Sequence, residues 1–152
     1  MSEHRGEHCV YNLQYHIVLV TKYRRRCIKG DIEESVKREI KRLVESAGGC
    51  LISIEADLDH VHFLAELPPM TCLSTFIRGL KGTSSRIIRR DHITELQQFY
   101  RGEDFSFWSD SFYIASTGGV AIDVIKKYVE SQKTDAHKRK YTRRQPIHPT
   151  DK

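Results

Sequence analysis

A chain of 152 residues, 39% hydrophobic and 30% charged, suits one globular domain with a real core and is too apolar for a disordered one. No apolar run approaches the roughly 20 residues that cross a bilayer, and Met1 to Glu7 is polar, so neither a membrane helix nor a secretory leader is expected. The net charge of +5 is concentrated in two clusters, Lys22, Arg24, Arg25, Arg26 and Lys29, and Lys138, Arg139, Lys140, Arg143 and Arg144.

Such clusters are the footprint of a polyanion partner, with Tyr23 and Tyr141 available to stack on bases; a solvated basic surface accounts for them as well. Cys9, Cys27, Cys50 and Cys72 form no Cys-x-x-Cys pair, so reduced thiols in a cytoplasmic protein are expected.

Leu13 to Thr21 is β-branched and apolar and reads as a strand. Asp31 to Ala47 carries Ile32, Val36, Ile40, Leu43 and Val44 at helical spacing, with Asp31 to cap its start and Gly48-Gly49 to end it. Alternation of Leu51, Ser53, Glu55 and Asp57 with Ile52, Ile54 and Ala56 predicts a second strand. His60 to Leu67 is a third, joined to it through Leu58-Asp59 as a hairpin and stopped by Pro68-Pro69. Leu73 to Arg90 reads as a helix weakened by Gly79 and Gly82, and Phe112 to Ser116 as a fourth strand after a polar loop with Trp108. Gly118-Gly119 opens a last helix, Val120 to about Lys133.

The order β-α-β-β-α-β-α predicts an α+β fold: a ferredoxin-like, split β-α-β antiparallel sheet with helices on one face and one extra C-terminal helix. Residues 1–133 form the expected domain, and 134–152 a basic, extended tail.

On the third strand His60, His62, Leu64 and Glu66 share one face, and Val61, Phe63, Ala65 and Leu67 the core face. Two imidazoles side by side, roughly 7 Å apart at Cα, can be cis ligands to one ion or two solvated side chains. On the last helix Tyr128 and Gln132 lie one turn apart beside the apolar row Ala121, Ile125 and Val129. A tyrosine there is ordinarily packing. Were the helix to cross the histidine face, a phenol and an amide oxygen would arrive together at the imidazoles.

His60-Val61-His62 followed by Tyr128-Val129-Glu130-Ser131-Gln132 resembles the signature of the single-tyrosine HUH transposases, enzymes of small insertion sequences that move as single-stranded DNA. Tyr15-His16, Thr21-Lys22-Tyr23-Arg24, Pro68-Pro69, Lys81-Gly82-Thr83-Ser84-Ser85, Trp108 and Gly118-Gly119 stand in the expected order, so the likeness runs from about Tyr11 to Lys133.

The resemblance implies that Tyr128 attacks a phosphodiester, leaving a 5′-phosphotyrosine and a free 3′-hydroxyl. It implies a divalent ion on His60, His62 and Gln132. Two imidazoles and an amide oxygen suit Mg²⁺ or Mn²⁺ better than structural zinc. It also implies a homodimer that takes single-stranded DNA with hairpin ends, in active sites shared between chains. Lys22, Arg24, Arg25, Lys81, Ser84 and Arg86 are candidate DNA contacts, and Gly118-Gly119 is a candidate hinge or a static turn. No general base is evident; Asp59 and Glu130 are candidates by proximity alone. Trp108 is expected in the core, and His16 as a packed or solvated side chain. A replication or relaxase nickase with the same residues, and a non-catalytic ferredoxin-like module for single-stranded nucleic acid, are the alternatives.

Overall fold

The computed structural model describes residues 4–5, 10–117 and 122–132. A short ribbon pairs β1 (His4–Arg5) with β2 (Val10–Tyr11). Then come β3 (Gln14–Val20), a one-turn 3-10 helix (Lys22–Arg24), α1 (Asp31–Ser46), β4 (Cys50–Ala56) and β5 (His60–Glu66). The described chain closes with α2 (Leu73–Leu96), β6 (Tyr113–Ser116) and α3 (Ile122–Ser131). The four longer strands pair antiparallel in the order β4-β5-β3-β6, which is the expected ferredoxin-like arrangement.

One sheet face carries Ile17, Leu19, Val61, Phe63 and Ala65 against Val36, Ile40 and Val44 of α1 and Ile77, Leu80 and Ile88 of α2, all essentially inaccessible to water. The opposite face buries Val18 and Val20 under Val129 of α3, beside Tyr113 and Tyr128. The two core helices and the tyrosine helix therefore lie on opposite faces of the sheet. Acidic Asp31, Glu33 and Glu34 complement the dipole at the start of α1. Gly48, at φ +83°, turns the chain out of α1, and a side chain at Gly49 would collide with the Glu66 carbonyl.

Two local expectations are corrected. A bulge between Leu51 and Ser53 breaks the alternation of β4, so Leu51, Ile54 and Ala56 pack on the core while Ile52 is left 45% exposed. Helix α2 runs past Arg90 to Leu96 through a kink at His92 (φ −130°, ψ 28°). The His92 imidazole lies 2.7 Å from the Ser35 hydroxyl of α1, and buried Leu96 anchors the extension. Among the described residues no helix is long and apolar enough to cross a membrane.

Candidate active site

The register of β3 against β5 sets Val18 opposite His62 and Val20 opposite His60. Both imidazoles thus stand on the face that α3 partly covers, and neither belongs to the core of α1 and α2. Asp59, in the hairpin turn just before the strand, has one carboxylate oxygen 2.8 Å from His60 Nδ1. Its other oxygen accepts from Arg24 Nε at 3.0 Å. A carboxylate against Nδ1 fixes the proton there and leaves the His60 Nε2 lone pair for a ligand. Burial alone would raise the Asp59 carboxyl, but the hydrogen bonds from His60 and Arg24 and the Arg24 charge outweigh it and hold it below its ordinary value.

His62 is half-buried, and its Nε2 lies 2.9 Å from His16 Nδ1 on the neighbouring strand. Burial, then the neighbouring His16, lowers its pKa, with Glu55 opposing. Both effects favour the neutral imidazole, the form that ligates metals. His16 is thus a partner of the histidine pair and more than a packed side chain.

Tyr128 and Gln132 do arrive together, but at the other flank of β3. The Ser111 hydroxyl, in the loop before β6, donates to Gln132 Oε1 at 2.9 Å and lies 3.1 Å from the Tyr128 phenol. With its single proton on Gln132, Ser111 accepts from the phenol. The Tyr128 ring leans on Tyr113, centroids 5.5 Å apart. Tyr113 pairs with Val18, which pairs with His62, so the strand that the Tyr128 ring leans on lies two strand spacings, about 10 Å, from the histidine strand, with β3 between them. Among the described residues, neither Tyr128 nor Gln132 bonds a histidine. Burial pushes the phenol up to about 12, Ser111 partly opposing.

The donor set fits a divalent ion in part. His60 and His62 present their imidazoles on one face, yet no three His, Cys, Asp or Glu side chains gather around one point among the described residues. The Gln132 oxygen is turned to Ser111, so the pair offers two ligands and leaves further positions for water, phosphate or a repositioned amide.

Of the candidate DNA contacts, Arg25 and Arg86 are exposed, and Lys22 lies 3.5 Å from Asp110. Arg24 is engaged by Asp59, and Lys81 reaches the Ser111 carbonyl at 3.4 Å. Ser84 is a correction: it is fully buried, bonding the Leu80 carbonyl and accepting from Trp108 Nε1 at 2.9 Å, so it cannot touch DNA. Trp108 is core, as expected. Gly118, Gly119 and the basic tail lie outside the described residues. Sequence reasoning missed Ser111, which sits in an aperiodic loop, and took Asp59 only by proximity, although its place just before the His-x-His strand is where an orienting carboxylate can reach Nδ1.

A family model described as Transposase IS200 like matches residues 9–132. The transposase for insertion sequence element IS200 of Salmonella typhimurium is 32% identical over 129 residues, 83% of this chain and 83% of that protein. The ISDra2 transposase TnpA of Deinococcus radiodurans is 28% identical over 128 residues, 84% of this chain and 89% of that protein. The crystal structure of a protein assigned as a transposase from Deinococcus radiodurans R1 superposes with a TM-score of 0.77 at 26% identity, over 86% of this chain and 98% of that one. With its histidine strand and tyrosine helix inside the matched span, the chain belongs to the IS200-like transposase family, whose work is DNA transposition.

Proposed function

We propose that this transposase cleaves and rejoins single-stranded DNA through a covalent 5′-phosphotyrosine on Tyr128. The observation that carries the reading is that α3 lays Tyr128 and Gln132 over the same sheet face from which His60 and His62 project. In the cleavage step the phenolic oxygen bonds to phosphorus, the bond from phosphorus to the 3′-oxygen breaks, and that oxygen leaves with the electron pair and takes up a proton. A 3′-hydroxyl of another strand reverses the exchange. One phosphodiester replaces another, so no ATP is required. Phenol suits both directions, since it ionises far more readily than an aliphatic alcohol and leaves more easily.

In the described arrangement the phenol is protonated at neutral pH and donates to Ser111, so attack requires that proton to move. A divalent ion, Mg²⁺ or Mn²⁺, would on binding supply charge that polarises the scissile phosphate. His60 and His62 would hold it, with Asp59 fixing the His60 ring; Gln132 would join them on leaving Ser111. Lys22, Arg25 and Arg86 hold phosphates, and Lys81 places its cation beside the Ser111 loop. We further propose that the substrate carries hairpin ends and that a homodimer shares its two sites. A binding-only module would present Phe, Tyr or Trp on the central strands; on this face the central strands carry His16, His60 and His62, and Tyr113 stands on the edge strand β6.

Incubation with single-stranded element-end DNA and Mg²⁺ or Mn²⁺, followed by a denaturing gel, tests the reading. A protein–DNA band should form and vanish in Tyr128→Phe. Its absence over a broad panel of end sequences would overturn the proposal.

A further inference from the structure

Beyond the end of β3 the chain makes a turn that is costly for side-chain-bearing residues. Tyr23 (φ 59°) and Arg24 (φ 53°) are successive non-glycine residues in the left-handed region. The turn is held from several directions. Thr21 Oγ1 donates to the Arg25 carbonyl at 2.7 Å, Tyr100 Oη donates to the Lys22 carbonyl at 2.9 Å, and Arg24 Nε reaches Asp59 at 3.0 Å. The consequence is that the Tyr23 ring is presented outward, 44% exposed.

It lines a cavity of about 880 Å³ between this turn and the segment that follows α2. That volume is near the upper end of small-molecule sites. Its aromatic walls are Tyr23, Phe99, Tyr100 and Phe105, and its cations are Lys22, Arg25 and Arg101; Asp104 is the one carboxylate in the lining. Tyr100 stacks on Phe105, centroids 4.6 Å apart, and the other three rings each have a cation close to a face. Lys22 Nζ and Arg25 Cζ are each 5.5 Å from the Tyr23 centroid, Lys29 Nζ is 5.3 Å from Phe99, and Arg89 Cζ is 5.9 Å from Phe105. Aromatic faces edged by cations match a nucleotide, whose base stacks and whose phosphate is anionic. The base must be unpaired and splayed from its neighbours, because in a duplex both of its faces are already covered.

We infer that this cavity receives an unpaired nucleotide of the strand being processed, its base on Tyr23 and its phosphate on Arg25 or Arg101. The inference rests on the single-stranded-DNA reading above and names a subsite for that substrate. The turn is joined to the histidine face through Arg24, Asp59 and His60.

The test uses the full chain carrying Tyr128→Phe, in EDTA, so that neither cleavage nor metal enters. The probes are oligothymidylate and oligodeoxyadenylate with one 2-aminopurine moved along the strand, and a duplex of matching length. Tyr23→Gly removes the ring and suits the left-handed backbone; an unchanged melting temperature, or a higher one, certifies its fold. It should weaken single-strand binding about tenfold and restore the fluorescence of the 2-aminopurine quenched in the parent, with duplex binding unchanged. Tyr23→Phe should behave as the parent. Equal single-strand affinity and quenching in Tyr23→Gly overturns the subsite. So does an equal loss on duplex, or displacement of the strand by free dTMP or dAMP as effective as by unlabelled strand. The two readings separate cleanly. Tyr23-dependent quenching without any covalent band in the wild type keeps the subsite and removes the catalytic proposal, and a covalent band without Tyr23 dependence does the reverse.

Discussion

The Ser111 hydroxyl stands 3.1 Å from the Tyr128 phenol, and through that contact the nucleophile proposed for the chain is tied to the loop before β6 and not to the histidines. Among the described residues Ser111 is the polar neighbour that opposes burial at Tyr128, because its hydroxyl can turn from Gln132 to donate to the phenolate. Ser111→Ala should raise the phenol further above about 12 and leave less phenolate at every lower pH. A hydrogen bond of about 1 kcal/mol corresponds to about a fivefold slower rate of covalent-complex formation. Between pH 7 and 9 both proteins should gain rate with rising pH, because the phenol lies well below half-ionised throughout. Single-turnover rates across that range check the pair. Faster cleavage in Ser111→Ala would show instead that Ser111 restrains Tyr128 and Gln132 from the histidine face.

Asp59 backs His60, one of the two histidines proposed to hold the metal. Removing an orienting carboxylate from a ligating histidine costs about 10–100-fold in metal affinity, so Asp59→Ala should weaken Mn²⁺ binding by about that factor. The signal of free Mn²⁺ in electron paramagnetic resonance measures it without DNA or turnover. Unaltered affinity would remove Asp59 from the site. The pH sign follows from its depressed pKa: the stabilisation it gives is present above the ordinary 3.8 and is lost as pH falls through the lower folded value. Because burial and His16 also hold His62 below its ordinary 6.5, protons would compete with the proposed metal at that ring only in more acidic solution.

How far such a site is legible in sequence depends on whether periodicity reports it. The two strand faces do: a period of two separates His60 and His62 from Val61 and Phe63, and the register on β3 preserves that division. The helical row that places Tyr128 beside Val129 is equally plain, since Val129 must be buried. Ser111 has no periodic signal, because its role depends on where a loop ends in space. The bulge at Leu51 and the kink at His92 are also silent, each fixed by distant packing that overrides a local pattern. Ser84 misled for a related reason, as a serine flanked by Lys81 and Arg86 resembles a phosphate contact until the Trp108 indole fills its hydroxyl.

Ser84 and Arg86 should accordingly separate stability from DNA affinity. Ser84→Ala leaves the Trp108 indole without its buried acceptor, a loss of about 1–3 kcal/mol. Its melting temperature should fall while the folded fraction binds single-stranded DNA as before. Arg86→Ala, at an exposed position on α2, should leave melting unchanged and weaken binding, with a shallower dependence on salt. Thermal melts paired with salt titrations of binding distinguish the two. A weaker Ser84→Ala complex with normal melting would restore it as a DNA contact.

The separation of Tyr128 from the histidines by β3 makes the origin of each tyrosine the decisive question. In this chain α3 lies on its own sheet, with Val129 buried against Val18 and Val20. A site shared between two chains brings the tyrosine of one protomer to His60 and His62 of the other. Two inactive proteins test this when mixed under conditions of subunit exchange. Tyr128→Phe contributes intact histidines, and His62→Ala contributes an intact tyrosine. Random assortment makes about half of the dimers mixed, and each mixed dimer regains one composite site, so about a quarter of wild-type sites should return. Single-strand cleavage should recover to that level on a denaturing gel, while complete transposition, which needs two tyrosines, should not. If each site is built within one chain, every site in the mixture lacks an essential group and no cleavage returns. Silence with exchange demonstrated by differently tagged subunits would therefore assign Tyr128 to its own histidines, reached by movement of α3 across Val18 and Val20.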